Sequence, residues 1–89
     1  MSDRKAAVVT GSTSGIGLGC ARKLAAEGFD IMLNGLGDAG EIERIRAALS
    51  AETGAKVVYD GANLMNAAGA AGLIEAAEEA FGRVDVLVN

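Results

Sequence analysis

The sequence predicts an α/β fold, a doubly wound parallel sheet in which elements alternate as β-α-β-α-β-α-β and the strands lie in the order 3-2-1-4. Three observations predict it. Four short runs rich in Val, Ile, Leu and Ala are apolar at consecutive positions, as in strands covered on both faces. The segments between them place apolar residues at helical spacing. A glycine-rich turn, Thr10-Gly11-Ser12-Thr13-Ser14-Gly15-Ile16-Gly17, joins the first run directly to the first helical segment. Right-handed crossovers then place the helices on the faces of one sheet.

Residues 5–10 (Lys-Ala-Ala-Val-Val-Thr) form the first strand, ended by Gly11. Residues 15–27 form the first helix, with Ile16, Cys20, Ala21, Leu24 and Ala25 inward and Arg22, Lys23 and Glu27 outward. Gly28 stops it as a left-handed cap. Residues 29–34 (Phe-Asp-Ile-Met-Leu-Asn) make the second strand. Asp38 and Glu41, at capping-box spacing, open a second helix. Its Ile42, Ile45 and Leu49 face a core, Glu43, Arg44 and Arg46 face out, and it ends near Thr53-Gly54. Residues 55–59 form the third strand and residues 60–66 a loop. Residues 67–81 form the third helix, with Leu73, Ala77 and Phe81 as its buried stripe and Gly82 as its stop. Gly69 and Gly72 weaken its first turns by about 1 kcal/mol each relative to alanine. Residues 84–88 form the fourth strand, a bare apolar edge of Val84, Val86, Leu87 and Val88.

Composition narrows the chemistry. A chain of 89 residues makes one small domain or a piece of a larger one, and Tyr59, Phe29 and Phe81 are its only aromatics, so its core is aliphatic. The absence of histidine excludes His-based catalysis and His-ligated metal. The single cysteine, Cys20, excludes an intrachain disulfide and a multi-cysteine zinc site, and fits a reducing compartment. Net charge is −4 and the basic pairs Arg4-Lys5 and Arg22-Lys23 are small and separate, which argues against a nucleic-acid partner. No apolar run approaches the roughly 18 residues of a membrane span. Met1-Ser2-Asp3-Arg4-Lys5 leads into a strand rather than a signal-peptide core. The expectation is a cytoplasmic protein with no membrane partner.

The glycine turn carries the functional signal. Gly11 permits the sharp exit from the strand, Gly15 leaves the backbone open to a pyrophosphate, and Gly17 and Gly19 let the helix lie close to the sheet. The first-turn amides of Ile16 and Gly17 face an anion, aided by the helix dipole, and Ser12 and Ser14 offer hydroxyls. No Gly-Lys-Ser/Thr is present, which disfavours a P-loop hydrolase.

Thr-Gly-x-x-x-Gly-Ile-Gly at 10–17 resembles the turn of the short-chain dehydrogenase/reductase family. Val84-Asp85-Val86-Leu87-Val88-Asn89 resembles the family's fourth strand, which leads into Asn-Asn-Ala-Gly, with Asn89 as the first residue of that motif. Residues 11–19, Asn34-Gly35-Leu36-Gly37-Asp38, Glu41-Ile42-Glu43 and Tyr59-Asp60-Gly61-Ala62 resemble the family's bacterial 3-hydroxybutyrate dehydrogenase branch. The resemblance implies a Rossmann-type fold. It makes residues 1–89 the N-terminal NAD-binding part of a single domain, truncated after the fourth strand. It also implies a full-length homotetrameric oxidoreductase that interconverts (R)-3-hydroxybutyrate and acetoacetate by hydride transfer with NAD.

The choice of dinucleotide follows from the second strand's end. An acid there usually reads the adenosine ribose, and a base there or before the second loop glycine accommodates a 2′-phosphate. Gly35, Leu36 and Ser14 occupy those positions and none is basic, which favours NAD over NADP. Gly35 and Leu36 offer backbone groups and an apolar wall, while Asp38 reads either as a helix cap or as a ribose contact. The family's adenine-contacting Asp-Leu pair is matched by Asn63-Leu64, whose amide oxygen accepts the same hydrogen bond. The expected cofactor set is Gly11, Ser12, Thr13, Ser14, Gly15, Ile16, Gly17, Gly35, Leu36, Asn63, Leu64 and Asn89.

No catalytic or metal-ligating residue is expected. Cys20 reads as a buried small hydrophobe, Tyr59 as a packing residue, Asp60 as a loop residue, and Glu75, Glu78 and Glu79 as a solvated face. Tyr59 is followed at the fourth position by Asn63, so the family's Tyr-x-x-x-Lys is absent, and the 89 residues are expected to be inactive alone. The competing readings are an NADPH-dependent 3-oxoacyl reductase and a noncatalytic nucleotide-binding module.

Overall fold

The computed structural model describes residues 4–89; the reading of residues 1–3 as a lead into the first strand lies outside them. The elements are β1 (Ala6–Val9), α1 (Gly15–Ala26), β2 (Asp30–Leu33), α2 (Ala39–Thr53), β3 (Val57–Tyr59), α3 (Ala67–Phe81) and β4 (Val86–Val88). The four strands form one parallel sheet in the order β3-β2-β1-β4. Ala7 pairs with Ile31 on one side and Val86 on the other, and Leu33 pairs with Tyr59. The strands are shorter than the apolar runs that mark them, because each run's ends already turn into a connection; α3 has the expected bounds.

The side-chain alternation of β1 divides the core. Ala7 and Val9 point to one face, with Ile31, Leu33 and Val57, under Ala21 and Ala25 of α1 and Leu49 of α2. Ala6 and Val8 point to the other, with Met32, under Leu73, Ala77 and Phe81 of α3. The α3 stripe is therefore the predicted one. In α1, Ala21 and Ala25 are buried, and Cys20 and Leu24 pack half-buried against the same cluster. Ile16 departs from its predicted inward place: it is 88% exposed, because α1's first turn stands at the strand ends with no sheet beneath it. Arg46 also departs. It is half-buried, pairs with Glu43, and donates from Nη1 to the carbonyl of Val57 at 3.0 Å, covering a backbone acceptor of edge strand β3.

The N-terminal ends of the strands are stitched by two carboxylates. Asp30, almost fully buried, accepts from Arg4 Nε at 2.7 Å and from the Lys56 amide at 3.0 Å. Asp85 accepts from the Ala6 amide at 2.8 Å and takes both arms of Arg83 at 2.8 and 2.7 Å. The Arg83 guanidinium, and after it the Ala6 amide, hold the Asp85 carboxyl below the usual aspartate range.

The helix ends differ in a way that matters below. Asp38 caps α2 by accepting from the Glu41 amide, and Asn66 caps α3 by accepting from the Gly69 amide. Ser14, at the corresponding position of α1, makes no such bond. No helix among the described residues is long and apolar enough to cross a membrane.

Candidate functional site

At the C-terminal ends of β1, β2 and β3 lies an open cleft of about 470 Å³, where doubly wound sheets bind their ligands. The glycine turn contributes Gly11, Thr13 and Ser14 to its walls. The segment after β2 contributes Asn34, Gly35 and Leu36, and the β3–α3 loop contributes Ala62, Asn63, Leu64 and Met65. None of these side chains is ionisable.

The turn is shaped by glycine at three positions, for two reasons. Gly11 and Gly15 have φ of +59° and +58°, which L side chains rarely adopt. At Gly17 the cause is proximity: a β-carbon there would lie 2.1 Å from the Gly11 carbonyl oxygen, so only a bare α-carbon lets α1 fold back on the turn. Gly19 is a correction. Nothing lies within 4 Å of a β-carbon placed on it, so it has no close approach to serve. The helix opens with Leu18 N–H donating to the Ser14 carbonyl at 3.3 Å, which leaves the Ile16 and Gly17 amides at the uncapped end of α1.

Ser12 is a second correction. Its side chain is fully buried; the hydroxyl donates to the Val9 carbonyl at 2.5 Å and accepts from the Asn34 amide at 3.0 Å. Its own amide donates to the Asn34 carbonyl at 2.7 Å. Ser12 therefore welds the turn to the end of β2 and offers nothing to a ligand. Asn34, which sequence reasoning used only as a family mark, organises the other side. Its side-chain amide donates to the carbonyls of Asp60 and Ala62 at 2.8 and 3.1 Å. A polar residue at the end of an otherwise apolar strand was the available signal for it.

The carbonyls of Gly35 and Leu36, expected beside a ribose, each accept one hydrogen bond within the chain. Tyr59 donates its hydroxyl to the Gly35 carbonyl at 2.5 Å, so its part extends beyond packing. Thr13 donates to the Leu36 carbonyl at 3.0 Å. The Leu36 side chain stands 88% exposed, as an apolar wall. Asp38 serves as the α2 cap. Asn63 uses its side-chain oxygen to accept from the Met65 amide at 2.9 Å. Gly69 lies beneath that loop, and a β-carbon on it would come within 1.8 Å of the Asn63 carbonyl oxygen, a reason for glycine unrelated to helix weakness.

Of the expected set, Gly11, Thr13, Ser14, Gly35, Leu36, Asn63 and Leu64 meet at the cleft. Gly15, Ile16 and Gly17 form the adjoining mouth of α1, and Asn89 stands apart, accepting from the Thr10 hydroxyl at 3.4 Å. Ala62, marked in the sequence only as part of the family stretch 59–62, and Met65, which carries no signal there, also line the walls. No group of three or more His, Cys, Asp or Glu among the described residues is placed to hold a metal ion.

Residues 5–89 match the family described as short chain dehydrogenase. The chain is 46% identical to a D-beta-hydroxybutyrate dehydrogenase of Cupriavidus necator over 90 residues, covering 100% of this chain and 34% of that protein. It thus spans about a third of that relative's length. A crystal structure from Sinorhizobium meliloti 1021, assigned to the short-chain dehydrogenases/reductases, superposes with a TM-score of 0.91 at 44% identity, over 100% of this chain and 40% of that one. L-sorbose reductase from Gluconobacter frateurii, solved with NADPH and L-sorbose, gives 0.87 at 32% identity, over 97% of this chain and 32% of that one.

Proposed function

Since the chain belongs to the short-chain dehydrogenase family, we propose that it holds NAD for an oxidoreductase similar to 3-hydroxybutyrate dehydrogenase, one that interconverts (R)-3-hydroxybutyrate and acetoacetate. NAD supplies the chemistry by accepting hydride. The chain's own residues position it. The carrying observation is the uncharged cleft at the uncapped end of α1. The Gly11–Gly17 turn, with the Ile16 and Gly17 amides, receives the pyrophosphate. Thr13, Ser14, Gly35 and Leu36 border the adenosine ribose, and Asn63 and Leu64 border adenine. Ser12 is left out because its hydroxyl and amide are both used internally.

The absence of any cation from the cleft walls favours NAD, since nothing there offsets a 2′-phosphate. The likeness to an NADPH-bound sorbose reductase supports the second reading, an NADPH-linked reductase. Calorimetric titration of the chain with each dinucleotide decides between them. NAD is expected to bind at least about tenfold more tightly than NADP, a difference of roughly 1.4 kcal/mol; equal affinity, or tighter NADP, overturns the NAD reading. These 89 residues contain no Tyr-x-x-x-Lys, so the proposal confines them to holding cofactor, without turnover on their own. The same reading makes the substrate a small hydroxy or keto acid, the compartment the cytoplasm and the assembly a homotetramer.

A further inference from the structure

Gly35 follows β2 at the place where dinucleotide-binding folds usually carry a carboxylate for the ribose or a cation for its phosphate. Its backbone does not demand glycine, since the positive-φ glycines are Gly11, Gly15, Gly28, Gly37, Gly54 and Gly82. Thr13 is what keeps a side chain out. A β-carbon on residue 35 would lie 2.6 Å from Thr13 Oγ1 and 3.1 Å from its Cγ2. Thr13 gives way only at the cost of its bond to the Leu36 carbonyl, while Tyr59 holds the Gly35 carbonyl. Here we propose that Thr13 and Gly35 form a steric interlock at the ribose end of the cleft: Thr13 fills the space of a residue-35 side chain, so a charged side chain is accommodated there only once Thr13 is cut back.

The inference rests on the dinucleotide reading of the cleft and deepens it. Selection against a 2′-phosphate then comes from the lack of a cation, not from a carboxylate that repels it. A carboxylate enters at residue 35 only after Thr13 is cut back. Removing the γ-atoms leaves Thr13 Cβ at 3.4 Å from the added carbon, an ordinary contact.

The test has two arms. In the first, Gly35→Ala is made in the parent and in Thr13→Ala, and thermal midpoints are compared. The substitution is expected to lower the midpoint by about 5 °C beside Thr13 and hardly at all beside Ala, given the steep response of small domains. An equal loss in both backgrounds overturns the interlock. In the second arm, NAD and NADP are titrated into the parent, Gly35→Asp and Thr13→Ala/Gly35→Asp. The double variant is expected to raise the preference for NAD by about tenfold over the parent, as a close like charge does in a partly solvated site. Gly35→Asp beside an intact Thr13 should raise it less, and an equal gain in both backgrounds overturns the part of Thr13. An unchanged preference in the double variant overturns the role in selection. A parent that binds neither dinucleotide overturns the underlying reading and selection with it, whereas the midpoints still decide the interlock.

Discussion

The two ends of this sheet are closed by opposite chemistries. At the N-terminal ends of the strands, backbone amides need acceptors, and the carboxylates Asp30 and Asp85 supply them to Lys56 and Ala6, each with an arginine alongside. At the C-terminal ends, carbonyls need donors, and neutral groups supply them: Ser12 to Val9, Asn34 to Asp60 and Ala62, Tyr59 to Gly35, Thr13 to Leu36. The polarity of a parallel sheet thus sorts its own side chains. Acids brace the strand starts, and the side chains that line the cleft at the other end carry no charge although the chain as a whole carries −4.

The sharpest way to break this comparison is at the acidic end. Asp30→Ala removes the acceptor of the Lys56 amide and the buried carboxylate paired with Arg4, and is expected to cost about 3 kcal/mol in denaturant unfolding. The NAD affinity of the folded fraction should stay at the parent's value; a drop in that affinity would mean that the two ends are not independent. Gly17→Ala probes the other end. Its β-carbon meets a backbone carbonyl rather than a yielding side chain, so it is expected to cost about 2 kcal/mol and to weaken NAD by more than about tenfold. Unaltered titration curves would remove the turn from the binding site. The smallest effect is pH-dependent. The folded state holds the Asp85 carboxyl below its ordinary 3.8, so its contribution is present above that pH and is lost as pH falls through the lower, folded value. The stability gap between parent and Asp85→Asn should therefore narrow as pH drops below about 4. A gap of constant width contradicts the Arg83 and Ala6 contacts.

What was legible in the sequence follows the same division. Apolar runs and glycine stops depend on neighbours along the chain, so β1 to β4, the α3 stripe of Leu73, Ala77 and Phe81, and the left-handed ends at Gly54 and Gly82 could all be read. The glycine turn was legible because strand, turn and helix are contiguous. Asp30, Asn34 and the Thr13–Gly35 contact were not, because their partners lie 22 to 28 positions away and only the sheet order brings them together. Ser12 and Ile16 were misplaced for a related reason. Periodicity assigns a face to a residue but does not say whether anything lies beneath that face.

The register of β1 also has a kinetic consequence. Ala7 pairs with Ile31 across 24 positions and with Val86 across 79. Closing the longer loop costs about 1 kcal/mol more in chain entropy, which favours β1–β2 pairing over β1–β4 pairing as the earlier event. Every wall of the cleft comes from segments preceding α3, so this order predicts a cleft that takes shape before the last strand is in place.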